Sequence, residues 1–157
     1  MTVENPTRSF LNAETLPVWG RSPLHQPEAS FSLGRDIDLR LARSTRANLL
    51  LVGHEPALSN ALASVMADNG GAIDIHASTG FLALPAPRSG VRTIVLRDVD
   101  VLTSLEQHRV LDWLTLAGSH TRVISTAGRP LLPMVREQAF SAALYYRLNV
   151  LFFDLTS

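Results

Sequence analysis

Unbroken apolar runs alternate along this chain with stretches in which apolar residues recur every three or four positions. Asn48-Leu49-Leu50-Leu51-Val52-Gly53, an apolar run closed by glycine, predicts a strand buried on both faces. Comparable runs predict strands at residues 72–76, at Thr93-Ile94-Val95-Leu96, at Arg122-Val123-Ile124-Ser125-Thr126 and at Val150-Leu151-Phe152-Phe153-Asp154-Leu155. Helical spacing lies between them. Leu33, Ile37 and Leu41, with Leu39 as an extra, predict an amphipathic helix over 33–46 whose wet face carries Arg35, Asp36, Arg40 and Arg43. Leu58, Leu62, Val65 and Met66 predict a helix over 57–68, ended by Asn69-Gly70-Gly71. A helix over 104–117 is expected to turn Leu105, His108, Leu111, Trp113 and Leu114 toward its apolar side. A helix over 131–147 tolerates Pro133 only in its first turn. Residues 78–90, with Pro85 and Pro87, form a connector with a helical turn around Phe81. Regular alternation of strand and helix predicts an α/β domain, a three-layer sandwich around a five-stranded, mostly parallel sheet.

Prolines set one region apart. Pro6, Pro17, Pro23 and Pro27 lie within residues 1–30 and predict an irregular arm, pinned by Leu16, Val18 and Trp19. Residues 31–157 then form a single domain. Lys+Arg 14 against Asp+Glu 14 removes the basic footprint of a dedicated nucleic-acid binder, so no direct nucleic-acid partner is expected. The absence of Cys excludes disulfides and thiolate metal sites and suits a cytoplasmic protein. No apolar run approaches the roughly 20 residues that span a bilayer, and Met1 to Asn12 lacks the pattern of a signal peptide.

Candidate chemistry is sparse. His25, His54, His76, His108 and His120 are scattered singly, without metal-ligand spacing, so no metal site is expected. His54-Glu55 follows the first strand, and Asp98 and Asp100 follow the third. Open parallel sheets bind ligands at that carboxyl edge. Ser59 and Ser125 become nucleophiles only with a base nearby, and no Gly-x-Ser-x-Gly elbow is present.

The segment Ala139-Phe140-Ser141-Ala142-Ala143-Leu144-Tyr145-Tyr146-Arg147-Leu148-Asn149-Val150 resembles the F-R-x-D-L-Y-Y-R-L-N-V run of sigma-54-dependent transcription activators, an AAA-plus ATPase family. The resemblance extends from about Leu33 to the C-terminus and implies a P-loop, AAA-plus-like core. The family's phosphate loop, G-E-x-G-T-G-K-E, corresponds to Gly53-His54-Glu55-Pro56-Ala57-Leu58-Ser59-Asn60. Pro56 has no N–H, Leu58 replaces a Gly, and Ser59 stands at the Lys position, so ordinary ATP binding is not expected. The family's Asp-Glu pair is matched by Arg97-Asp98, a charge reversal where magnesium is held. Leu102-Thr103-Ser104-Leu105-Glu106-Gln107 resembles the L-S-x-x-x-Q start of the next helix. Thr121 to Gly128 resembles R-V-I-A-A-T-N, with Gly128 replacing the sensing Asn. Ser141 replaces an arginine-finger candidate. Arg147 remains and reads as a structural salt-bridge residue. The connector is too short for the sigma-contact insertion, and neither the helical lid nor the DNA-binding helices have a counterpart here.

Together these residues imply a non-hydrolysing regulatory or protein-interaction module, a pseudo-ATPase with no cofactor and no catalytic residues. Its partner would be a related ATPase, a regulatory protein or its own copy, with a monomer or dimer expected and no membrane association. Tyr145, Tyr146 and Arg147 are the interface candidates. The alternative is a protein that binds a small anion or nucleotide at the old nucleotide edge, through Gly53, His54, Glu55, Ser59, Arg97 and Asp98.

Overall fold

The computed structural model describes residues 37–67, 71–77, 82–87 and 90–156. The arm over 1–30 and the turn at Phe81 lie outside them. The strands are β1 (Leu49–Val52), β2 (Ile73–His76), β3 (Thr93–Arg97), β4 (Arg122–Ala127) and β5 (Leu151–Asp154). They form one sheet of five in the order β2-β3-β4-β1-β5, and every pairing is parallel. The helices are α1 (residues 37–44), α2 (Ala57–Met66), α3 (Ser104–Ala117), α4 (Leu131–Arg136) and α5 (Ala142–Leu148).

Side chains alternate across a strand, so β1 feeds two cores at once. Leu50 and Val52 join Ile94, Leu96 and Val123 beneath α3, α4 and α5. Leu49 and Leu51 join Val95 and Ile124 with α2 and Leu39 of α1 on the other face. This is the three-layer α/β sandwich that the alternation predicts.

Three details differ from the sequence reading. In α1 the buried pair is Leu39 and Ala42, whereas Ile37 and Leu41 are turned outward. In α3 the buried stripe is Gln107, Val110, Leu114 and Ala117, with Trp113 beside it, while Leu105 and His108 are exposed. In both helices a stripe spaced three and four apart meets the sheet, and a competing apolar stripe does not. The segment over 131–147 is two helices. Gln138 takes a left-handed φ of 60°, and the amides of Ala139 and Phe140 both donate to the Met134 carbonyl. Ser141 then caps α5 by accepting from the Leu144 amide at 3.3 Å.

Gln107 holds that break in place. Its Nε2 donates to the carbonyls of Leu102 and Ala139, at 3.0 and 3.1 Å, and its Oε1 accepts from the Ser141 amide at 2.8 Å. At the start of α3, Thr103 and Glu106 form a reciprocal capping box. Hydrogen bonds from the Thr103 backbone, then from its hydroxyl, hold the Glu106 carboxyl below its ordinary range, with Arg109 adding a smaller pull.

Candidate functional site

The carboxyl ends of all five strands emerge at one edge of the sheet, because every strand runs the same way. Gly53 continues β1, and its amide donates to the Ala127 carbonyl at 3.0 Å. A Cβ there would lie 2.8 Å from Leu155 Cβ and 3.3 Å from the Leu155 carbonyl group. The first glycine of the loop is therefore required by the close approach of the chain beyond β5.

The next residues are committed to α2. Leu58 turns into the core with Ala61, Leu62 and Val65. Its amide donates to the His54 carbonyl at 3.2 Å, and the Asn60 amide donates to the Pro56 carbonyl at 3.1 Å. Between them, the Ser59 amide donates to Glu55 Oε2 at 3.3 Å. A carboxylate of the chain thus caps the turn where a phosphate would meet backbone N–H groups. The side chains of His54, Glu55 and Ser59 are exposed.

Two strands away, Arg97 is occupied too. Its Nε lies 2.9 Å from both oxygens of Asp74 on β2. Asp98 has a left-handed φ of 59°, and its amide donates to Thr126 Oγ1 at 3.2 Å. His76 lies 3.9 Å from Asp74 and 4.0 Å from Asp98. Asp100 accepts from the Gly128 amide at 3.1 Å and pairs with Arg129 at 3.5 Å. The backbone position that replaces the sensing Asn thus already holds an intramolecular carboxylate.

The candidate residues fall into two groups separated by β4: Gly53, His54, Glu55 and Ser59 at the end of β1, and Arg97 and Asp98 at the end of β3. Asp74 was missed. The alternation Ile73-Asp74-Ile75-His76 signals a polar face, but its partner Arg97 is distant in sequence. Ser125 is fully buried and its hydroxyl has no hydrogen-bond partner, so it offers no accessible nucleophile. Among the described residues no group of three or more His, Asp or Glu could hold a metal ion.

The interface candidates lie on α5. Tyr145 is half-buried, its hydroxyl accepts from Asn149 at 2.7 Å, and its ring meets Tyr146 edge-on at 5.2 Å. Tyr146 is exposed. Arg147 is exposed and has no ion-pair partner among the described residues, which corrects the expectation of a salt-bridge residue. Its backbone carbonyl, rather than its guanidinium, is the anchor, accepting from Asn48 at 2.8 Å.

Residues 33–157 match the Sigma-54 interaction domain family. The chain belongs to that family. No curated protein sequence matches it. Among solved structures, NtrX from Brucella abortus in complex with ATP superposes with a TM-score of 0.62 at 17% identity, over 82% of this chain and 37% of NtrX. Its complex with ADP gives 0.63 at 17%, over 80% and 36%. The chain thus spans just over a third of the length of NtrX. The P-loop NTPase domain of a sigma-54 activator from E. coli gives 0.59 at 13%, over 82% of this chain and 96% of that domain. Saccharomyces cerevisiae Rif2, in complex with the C-terminal domain of Rap1, gives 0.52 at 8%, over 82% and 53%. These identities establish a shared P-loop, AAA-plus-like fold.

One expectation is overturned. The substitutions predict a chain that is not an enzyme. Yet the fold is shared with a P-loop NTPase domain and with NtrX, which is solved in complex with ADP and with ATP. The convergence of the β1, β3 and β4 ends is a property of the backbone, and replaced side chains leave it in place. The substitutions alone therefore do not establish that the chain is not an enzyme. Among the described residues no helix is long and apolar enough to cross a membrane.

Proposed function

We propose that this member of the Sigma-54 interaction domain family is a regulatory module that docks a related AAA-plus domain, its own copy included, along the rim of β5. The observation that carries this is an apolar rim around β5, which is an edge strand among the described residues. Phe152 on β5, Ile37 and Leu41 on α1, and Tyr146 and Val150 at the end of α5 are all exposed. Leu41 and Phe152 also line a groove of about 470 Å³ between α1 and β5. Exposed apolar clusters beside an unpaired strand edge are characteristic of interaction surfaces. Rif2, which shares this fold over 53% of its length, is solved in complex with a domain of Rap1.

The test is light scattering of the full chain at rising concentration, alone and mixed with a sigma-54 activator ATPase domain. Association that is lost in Leu41→Asp/Phe152→Asp supports the reading. No association with either, or association indifferent to those changes, overturns it.

A second reading places a nucleotide at the carboxyl edge, by analogy with NtrX and its ADP and ATP. Calorimetric titration with ADP and ATP, with phosphate release followed in the same samples, decides it. Binding weakened by Arg97→Ala, which removes the cation named at that edge, supports the site, and no heat with either nucleotide removes it.

A further inference from the structure

The opposite edge of the sheet has a different electrostatic character. There the loop before β3, the turn after α3 and the link between α1 and β1 converge. The Arg122 amide donates to the Arg92 carbonyl at 2.8 Å, and Thr121 Oγ1 donates to the Val91 carbonyl at 2.9 Å, which joins two of these segments. A cavity of about 830 Å³ opens between them, with a smaller one of about 230 Å³ beside it. Arg46, Arg92, Ser119 and His120 line both, and Arg122 lines the smaller. Among the described residues no carboxylate lines either cavity. The whole chain balances 14 cations with 14 acids, so this concentration of arginine is local.

Arg122 is only 5% exposed. Its Nε and Nη2 donate to the carbonyls of Ala47 and Ala42, both at 2.9 Å, so its orientation is set. No carboxylate pairs with it among the described residues. Burial alone pulls its guanidinium below the ordinary arginine value. A buried cation without a counter-charge is costly, and an anion in the adjoining cavity would compensate it. Arg46 and Arg92 likewise have no ion-pair partner among the described residues, and both are exposed. Guanidinium forks are suited to phosphate and carboxylate oxygens. The smaller cavity accommodates an anionic group, and the larger falls within the range of roughly 300–1,000 Å³ typical of small-molecule sites.

We infer that the amino-terminal edge of the sheet binds a small phosphate-bearing molecule, its phosphate seated by Arg46, Arg92 and Arg122 and its body in the larger cavity. This site is separate from the carboxyl edge and does not depend on the function proposed above.

The test is calorimetric titration of the full chain with inorganic pyrophosphate. Binding is expected, weakened at least about tenfold in Arg46→Ala/Arg92→Ala, as removal of two charge-assisted contacts requires. Arg136→Ala, at the exposed end of α4 and lining neither cavity, is expected to leave the affinity unchanged. Both substituted arginines in the double variant are exposed, and circular dichroism of that variant checks that the fold is retained. Parallel titrations with inorganic phosphate and a sugar phosphate distinguish the source: equal affinities indicate free phosphate, and tighter sugar-phosphate binding indicates an organic ligand. Absence of heat with pyrophosphate, equal affinity in the double variant, or loss of affinity in Arg136→Ala would each overturn the site.

Discussion

The carboxylate of Glu55 accepts a hydrogen bond from the backbone amide of Ser59 at 3.3 Å, in the segment that corresponds to a phosphate loop in relatives. A negative side chain therefore occupies the start of α2, where the helix dipole favours negative charge. Any phosphate arriving there competes with it. Glu55→Gln is expected to tighten ADP binding severalfold, while costing up to about 1 kcal/mol of stability. Calorimetry and urea unfolding of the same protein measure the two effects. Unchanged or weaker ADP binding in the variant would show that Glu55 does not guard this position.

Gly53 is required by packing. Adding a methyl group brings a Cβ within 2.8 Å of Leu155 Cβ, with backbone atoms of Leu155 at 3.3 Å. Gly53→Ala is expected to destabilise the chain by about 1–3 kcal/mol, as overpacking does. A midpoint in urea equal to that of the unsubstituted chain would remove this explanation.

Gln107 ties α3 to the break between α4 and α5 through two hydrogen bonds, and a third holds the Leu102 carbonyl at the start of α3. Gln107→Leu keeps most of the volume but strands three backbone groups. The expected loss is about 2–4 kcal/mol, since each buried polar group left unpaired costs about 1–3 kcal/mol and part of that is recovered by relaxation. Hydrogen exchange should show the amide of Ser141 losing protection first. A loss below about 1 kcal/mol would mean that water or rearrangement replaces the bonds.

Thr103 and Glu106 cap α3 reciprocally. Thr103→Ala is expected to cost about 1 kcal/mol at neutral pH. The Glu106 carboxyl is depressed in the folded chain by the Thr103 hydrogen bonds. Its contribution is therefore complete above the unfolded value of about 4.3 and is lost as pH falls through the folded value. The stability difference between the chain and Glu106→Gln should be constant from pH 7 to about 5 and shrink below about 4. A difference that grew on acidification would reverse the assignment. Because Glu106 is largely solvent-accessible, solvent screening keeps this increment small.

Much of the fold is legible in the order of residues. Leu49 to Val52 and Ile94 to Leu96 are continuous apolar runs because each strand contributes to cores on both faces. Such runs announce a doubly covered parallel sheet without knowledge of what covers it. The Tyr145-Tyr146-Arg147 segment and the replaced phosphate loop likewise identify the family from local sequence. Helix faces were less legible. Ile37 and Leu41 form as good an apolar stripe as Leu39 and Ala42, and only contact with the sheet selects the second. The break after α4 carries no glycine or proline. It arises from the Gln107 contacts, which join residues more than 30 positions apart, together with the local Ser141 cap.

The sequence by itself determined the strands, their direction in one sheet, the family and the residues missing from its phosphate loop. Burial on two faces and motif identity are written in consecutive residues, so they can be read without coordinates. Tertiary structure alone decided which helix faces look inward, that Arg97 is held by Asp74, and that Arg46, Arg92 and Arg122 gather at the edge opposite the phosphate loop. Those relationships join residues from different elements. Chain crossover brings them within reach of one another, and nothing in local periodicity records the distance across a sheet.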